Sequence, residues 1–496
     1  MPQLSVNLKK IYAFPLIWLV SLETTLNNEP KRGIFRLNHW HFGSKAKFLI
    51  AVAIIAILLI SVFAFLPRQS VIKGNVLQQS DDNPTATPTA NPTVTPTPTT
   101  PPENGGPSIQ NYGQFPNTVD NAFKAPGLIE PGQPINSAVW MQVAGNAWAY
   151  FQPGIGVDSK TGLPYSETGY AGFTDWDLGA YIQAIIDANK TGLIGNNGTW
   201  GSSARIDDVL NFLENRTLNA ENYPYQFYDP STGSNSSMSS SEIVDGVDTG
   251  RLFVALNNLI NFNSSLQQRI DNIVYNGRSN YAALVPSVQT DILTSTNIYS
   301  YYCDSGFADF WPNLPSPSTI LNNVFSAGNV TTYGNVTLPK ALITGDPLLC
   351  SVFELNNNNS QLMALSKQVY LANEAYFNAT GDYTAFGEGN GPSDIYLWEW
   401  VVLPNGDTFE VTRSGNGGDY LNINPIVYNK VAFSFLALYN TTYALDMVAY
   451  LEQWLPTPTG GYSDGADNSG TLVPSVGSNT NSLILDAALY ALQNSP

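Results

Sequence analysis

Residues 48–66 read FLIAVAIIAILLISVFAFL, nineteen apolar or small residues without a charge. At ~1.5 Å of rise per residue, a helix of this length crosses the hydrocarbon core of a bilayer. No polar face recurs at helical spacing, as it would in a helix lying on a soluble core. A cleaved signal peptide fits less well. The run starts late, exceeds the usual apolar region of such peptides, and lacks a small-residue cleavage site just after it. The chain therefore divides around this segment. Lys9, Lys10, Lys31, Arg32, Arg36, Lys45 and Lys47 crowd its N-terminal side against Glu23 and Glu29, and only Arg68 and Lys73 follow closely. The positive-inside rule predicts a cytoplasmic segment at 1–47, a single transmembrane helix at 48–66, and everything beyond it outside the cell.

Residues 67–106 contain DNPTATPTANPTVTPTPTTPP at 82–102. Proline lacks a backbone donor and fixes φ, so the segment reads as a stiff stalk, of a composition that is often O-glycosylated. Asn-x-Ser/Thr sequons begin at Asn189, Asn197, Asn215, Asn235, Asn263, Asn329, Asn335, Asn358, Asn378 and Asn440, which predicts an external glycoprotein. Cys303 and Cys350 are the only cysteines. In an oxidising compartment they are expected to pair, closing a loop worth about 4 kcal/mol in the chain-entropy picture.

Charge narrows the partners. The chain carries 21 Lys+Arg and 39 Asp+Glu; removing the seven basic and two acidic residues of 1–66 leaves 14 and 37, a net charge of −23. Such a body repels phosphate backbones and other anionic polymers, which excludes nucleic acid. His39 and His41 both precede residue 66, so the head has no histidine for a catalytic triad or a zinc site. No metal or cofactor is expected.

From 107 to 496 the pattern is mainly α. Apolar residues recur at i, i+3, i+4 and i+7 in 137–151, 175–190, 203–216, 248–262, 266–275, 361–378, 425–439, 442–455 and 480–493. Thr174, Ser203 and Thr480 suit N-caps, and Pro425 suits a first turn. One β-hairpin is legible at 397–413, turning at Asn405-Gly406. Paired helices with long polar connections predict an (α/α) toroid of helical hairpins; an open stack of helical pairs would read similarly.

The phrases TDWDLGAYIQAIIDA at 174–188, GLI at 192–194 and DTGRLFVALNNL at 248–259 resemble the DUF3131 family. So do YNKVAFSFLALYNTTYA at 428–444, GGYSDG at 460–465 and SNTNSLILDAALY at 478–490. The resemblance covers roughly 137–494 and implies a toroid like those of glycoside hydrolases, with an activity that the family itself leaves largely unassigned.

Glycoside hydrolysis needs two carboxyls, one protonated, about 5–5.5 Å apart for retention or 6.5–9.5 Å for inversion. The candidates are Asp177, on which the family phrase centres; Asp245 and Asp248 at a helix entry; Glu388 in AFGEGNGP; and Glu399 between Trp398 and Trp400 on the hairpin. Each has a plainer reading. Acidic residues in a first turn stabilise the helix dipole, Asp248 and Arg251 at i, i+3 suit an ion pair, and a hairpin glutamate suits solvent. Alternation places Trp398 and Trp400 on one face and Glu399 on the other. Candidates for holding substrate are Asp175, Trp176, Trp200, Arg251, Trp311, Trp398, Trp400, Tyr462 and Asp464. Trp200 and Trp311, beside Gly201 and Pro312, suit exposed platforms. The leading expectation is a membrane-anchored extracytoplasmic glycosidase-like protein acting on a neutral polysaccharide or glycoconjugate. The alternative is a non-catalytic glycan-binding or cell-envelope surface module of the same fold.

Overall fold

The computed structural model describes residues 129–494 apart from 134, 237–242, 341, 356–358, 392–395, 412–418 and 454–459. The expected transmembrane helix, the stalk and the cytoplasmic segment lie outside these. Among the described residues no helix is long and apolar enough to cross a membrane.

The described residues form thirteen α-helices and nine short strands. Six helices carry the core: α2 (Asp175–Lys190), α4 (Gly246–Phe262), α7 (Ile298–Phe310), α9 (Asp346–Glu354), α11 (Asn429–Tyr439) and α13 (Ser478–Asn494). Each packs on the next, and α13 returns to α2, so they close a ring. The intervening helices form an outer layer: α1 (Ser137–Trp148), α3 (Ser202–Asn215), α5 (Gln267–Asp271) with α6 (Val285–Thr294), α8 (Ser318–Ser326), α10 (Ser360–Thr380) and α12 (Thr442–Glu452). Outer and inner helices alternate along the chain, which is the toroid of helical hairpins. Ring closure depends on close approach. α4 meets α7 where Gly250 and Gly306 face each other, and a Cβ on Gly306 would lie 2.2 Å from the Gly250 carbonyl oxygen.

The lumen is polar. Arg251 on α4 donates to Asn479 Oδ1 on α13 (2.8 Å) and Glu354 Oε1 on α9 (3.1 Å), and its guanidinium stacks over Trp176 of α2, 4.5 Å from the ring centroid. Tyr302 of α7 donates to the same Glu354. The i, i+3 pairing of Arg251 with Asp248 is thus replaced by a cross-ring one. Deeper in, Asp187 of α2 and Asp486 of α13 are buried side by side. Burial drives Asp187 up to about 6, and pushes Asp486 well above the carboxylate range with Asp187 and Glu354 adding to the effect.

Three antiparallel sheets complete the head: the hairpin β1 (Thr331–Tyr333)–β2 (Val336–Leu338), the four strands β3 (Gly387–Asn390), β4 (Tyr396–Val402), β5 (Thr408–Glu410) and β6 (Asp419–Leu421), and the three strands β7 (Ile426–Tyr428), β8 (Gly465–Asp467) and β9 (Leu472–Val473). The expected hairpin is β4–β5, with Gly406 at φ 90° in its turn. Thr174 caps α2 as expected. The other boundaries move: α3 follows Gly201, Thr480 lies inside α13, and Pro425 precedes β7, which runs straight into α11.

The expected disulfide is absent. Cys303 and Cys350 are buried free thiols. Cys303 packs on the bare backbone of Gly250, while Cys350 lies on α9 near Arg251 and Glu354, so each thiol is enclosed by its own neighbours. Unfolding without reductant should release two titratable thiols per chain with no change in mass; fewer than two would restore the cross-link. The carboxyl pair makes a second prediction. Its folded pKa values exceed the unfolded ones near 4, so its contribution is most favourable below pH 4 and falls as pH rises through about 6. Denaturation midpoints from pH 4 to 8 should show this fall, and Asp486→Asn should flatten it.

Candidate functional site

The N-termini of the inner helices meet at one end of the ring. Ser478 at the start of α13 donates to Asp177 Oδ1 of α2 at 2.6 Å. Lys430 at the start of α11 forms an ion pair with Asp346 at the start of α9. Helix N-termini carry partial positive charge, so carboxylates concentrate here at reduced electrostatic cost.

Several of these carboxyls are committed to the scaffold. Asp175 is fully buried and gives both oxygens to Arg216 at 2.5 and 3.3 Å, out of reach of a substrate. Asp177 Oδ2 closes the capping box on Thr174 N–H (3.0 Å) and accepts from Ser166 Oγ (2.5 Å). Asp245 is exposed and caps α4 through Asp248 N–H at 2.9 Å. Asp248 is different. It stands half-buried at the rim, and burial pushes its carboxyl well up, reinforced by Asp245 and Asp177.

The strand β3 hangs over this rim. Gly387 lets its backbone approach α9: a Cβ there would lie 2.3 Å from Asp346 Oδ1. Gly389 has φ 148°, a conformation that favours glycine. Between them Glu388 is buried, with its N–H on Asp346 Oδ2 (3.3 Å) and its Oε1 accepting from the Tyr396 hydroxyl (3.1 Å). Tyr299 of α7 lies beside it, its hydroxyl buried without a partner of good geometry. Burial pushes the Glu388 carboxyl above its ordinary range; Lys430 opposes this and Asp346 reinforces it. Two residues on, Asn390 joins this strand to two other segments. Its amide Nδ2 donates to Glu167 Oε2 (2.7 Å) and to Asp464 Oδ2 (3.0 Å), and its N–H donates to Asp464 Oδ2 (2.9 Å). Asp464 Oδ1 accepts from Thr480 at 2.5 Å. Glu167 is half-buried and also accepts from Ser475; burial raises its carboxyl, with Asp464 and Asp177 adding and the two hydrogen bonds opposing.

The hairpin departs from simple alternation. Gly387 pairs with Trp400 and Gly389 with Leu397, so Glu388 opposes two residues, Trp398 and Glu399. This is a β-bulge, and Glu399 takes φ 42° in it. Trp398 and Trp400 consequently part: Trp398 is exposed and Trp400 is wholly buried. Glu399 turns inward, buried, and accepts from Asn297 Nδ2 at 2.7 Å, pinning the hairpin to the start of α7 instead of facing solvent.

The remaining candidates pack against neighbours within the head. Trp176 and Arg251 stack on each other, and Tyr462 is buried against Phe433. Trp200 lies over Arg205, and Trp311 packs on Phe253 and Phe307. Both follow C-terminal ends of inner helices, on the side of the ring away from the rim. Glu167, Tyr299 and Tyr396 went unsignalled in the sequence, since they come from three separate segments and share no spacing, and Asn390 was passed over although it lies in the AFGEGNGP phrase, two residues after Glu388. Among the described residues no group of three or more His, Cys, Asp or Glu is placed to hold a metal ion.

Residues 142–296 and 325–494 match the profile of a family described as "protein of unknown function (DUF3131)". The chain belongs to this family. No curated protein matches it in sequence. Solved structures with the same fold include an endo-β-1,2-glucanase from Chitinophaga pinensis in complex with sophorotriose and glucose. It has 12% identity and a TM-score of 0.52, over 73% of this chain and 96% of that one. A candidate glucoamylase from Bacteroides uniformis gives 13% identity and a TM-score of 0.53, over 73% and 95%. Another, from Bacteroides fragilis, gives 13% and 0.52, over 74% and 96%. At such identities the likeness establishes the toroid.

The Tyr396 hydroxyl stabilises the ionised form of Glu388. Tyr396→Phe should therefore raise the Glu388 pKa further, read from carbon-13 NMR titration of the glutamate carboxyls. An unmoved titration would mean that the hydrogen bond is not made.

Proposed function

We propose that this is a glycoside hydrolase acting on a neutral glycan, with Glu388 as general acid and Glu167 as the opposed base. The observation that carries this reading is the position of Glu388. It is a buried carboxyl, pushed towards its protonated form, beside the helix N-termini at one end of the ring and flanked by two tyrosines. Asn390 stands two residues along the same strand, a rise of about 6.6 Å, and hydrogen-bonds Glu167. One strand thus ties the two carboxyls together through Asn390. Glu388 gives its proton to the glycosidic oxygen as the C1–O bond breaks. Water adds to C1, and Glu167 takes the proton that the water loses. Asp464, itself bonded by Thr480, holds Asn390 between the two, and Asp248 lines the rim.

The toroid shared with a β-1,2-glucanase supports this reading, as do the excess of acidic groups and the absence of an unpaired cation among the rim residues described above. We further propose that residues 48–66 anchor the protein in the cell membrane, with the N-terminus cytoplasmic and the head outside. A second reading, a non-catalytic glycan-binding surface module, draws on Asp175, Asp177 and Asp245, whose oxygens serve an ion pair and two caps.

The test is release of reducing sugar by the detergent-solubilised protein across α- and β-linked neutral oligosaccharides. Glu388→Gln and Glu167→Gln should each lower turnover by at least ~100-fold with folding intact. Asp177→Asn should lower stability by about 1 kcal/mol through the cap and change turnover only a few-fold. Saturable binding with no sugar released would favour the surface module.

A further inference from the structure

Tyr396 and Trp398 are 37% and 42% exposed, and their ring centroids lie 4.6 Å apart at a 59° tilt. Exposure of single aromatics means little. Their place in the sheet gives these two a meaning. Tyr396 is the direct ladder partner of Asn390, so the two side chains stand on one face of the sheet, with Glu388 two residues along. Trp398, two residues beyond Tyr396, stands on that face as well and lies opposite Glu388 in the bulge. The Tyr396 ring is open to solvent on one side, while its hydroxyl reaches Glu388 Oε1 at 3.1 Å. The pair is therefore a shelf whose inner edge is the Glu388 carboxyl. Without the bulge at Glu399, alternation would not separate Trp398 from the buried Trp400.

A shelf of this kind recognises a ring by its face. A pyranose with all substituents equatorial presents a flat patch of axial C–H groups that fits an aromatic surface; an axial hydroxyl interrupts it. Among the described residues the ammonium that acts on Glu388 is that of Lys430, and it is held by Asp346. A charged acidic sugar would gain no partner here and would meet Glu388 and Asp464. Resting on the reading of Glu388 as the acid, we propose that Tyr396 and Trp398 form a stacking subsite one sugar away from the cleaved bond, selective for an uncharged, equatorially substituted unit of the glucosyl type.

The test measures binding, apart from turnover. Calorimetric titration of the Glu388→Gln protein with gluco-oligosaccharides of two to six units should give saturable binding that tightens once the chain reaches the shelf. Adding Trp398→Ala should weaken the longer oligomers about tenfold. Trp398→Tyr should recover most of the loss, which a folding defect would not allow, and Tyr396→Phe, which keeps its ring, should stay within about twofold. Manno-oligosaccharides, with an axial hydroxyl on each ring, should bind more weakly and respond less to Trp398→Ala. Equal affinity with and without Trp398 would overturn the subsite, as would the absence of gluco-oligosaccharide binding to the protein with Trp398 in place. A tenfold loss in Trp398→Ala alongside no hydrolysis by the unsubstituted protein would keep the subsite and overturn the assigned reaction instead.

Discussion

Arg251 is the group on which the ring depends. Its guanidinium has no access to water, yet it touches α2 through Trp176, α9 through Glu354 and α13 through Asn479, and Glu354 extends the network to Tyr302 on α7. Five of the six inner helices therefore meet through one positive charge and one negative one. Such a pair adds little net stability over an apolar core, because both ions lose their hydration. What it does supply is register: a slide of any inner helix along its axis would leave a charge buried and unpaired. The rim inherits that register, since every carboxyl discussed at the mouth sits within the first turn of an inner helix or on a segment bonded to one.

The rim also shows how one residue type serves opposite ends. Asp177 and Asp464 are saturated with donors and hold elements together, Asp175 pairs with an arginine, and Glu388 is enclosed so that burial outweighs what Lys430 and the Tyr396 hydroxyl do for its charge. The difference lies in the neighbours. Where backbone N–H groups and hydroxyls point at an oxygen, it joins one element to another; where rings and strands close over Glu388, burial favours the proton. A bowl built from helix N-termini provides both environments within a few residues of each other.

Much of this was legible in the sequence. The helices α1, α2, α4, α10 and α13 follow from apolar periodicity, and the α2 cap and the β4–β5 hairpin follow from local residue chemistry. α7 and α9 were not legible, because IYSYYCDSGFADF is buried on nearly every side and shows no polar stripe, and α9 is only nine residues long. At the site, Glu388 stood out through its flanking glycines. Glu167 did not, because it lies in an irregular loop and joins the rim through Asn390, more than 220 residues away along the chain. Alternation misplaced Trp400, putting it on the face of Trp398, since a bulge is set by the partner strand and leaves no mark on its own sequence. The cysteines misled for a related reason: their pairing depends on which way two packed helices face, and Cys303 lies against Gly250 of α4.

The ring is sealed by α13, whose Ser482 bonds the Ala180 carbonyl of α2 at a separation of 302 residues. The first inner helix and its last neighbour thus bracket nearly all of the head. During synthesis at about 5–20 residues per second, α2 leaves the ribosome tens of seconds before the surface that will cover it exists. Until then its apolar flank faces water, and the arc behind it cannot close. Contacts of such long range slow folding because loop entropy must be overcome before they form. The nascent chain is accordingly at its stickiest just before completion, and the carboxyl-lined bowl comes into being only when the last helix docks.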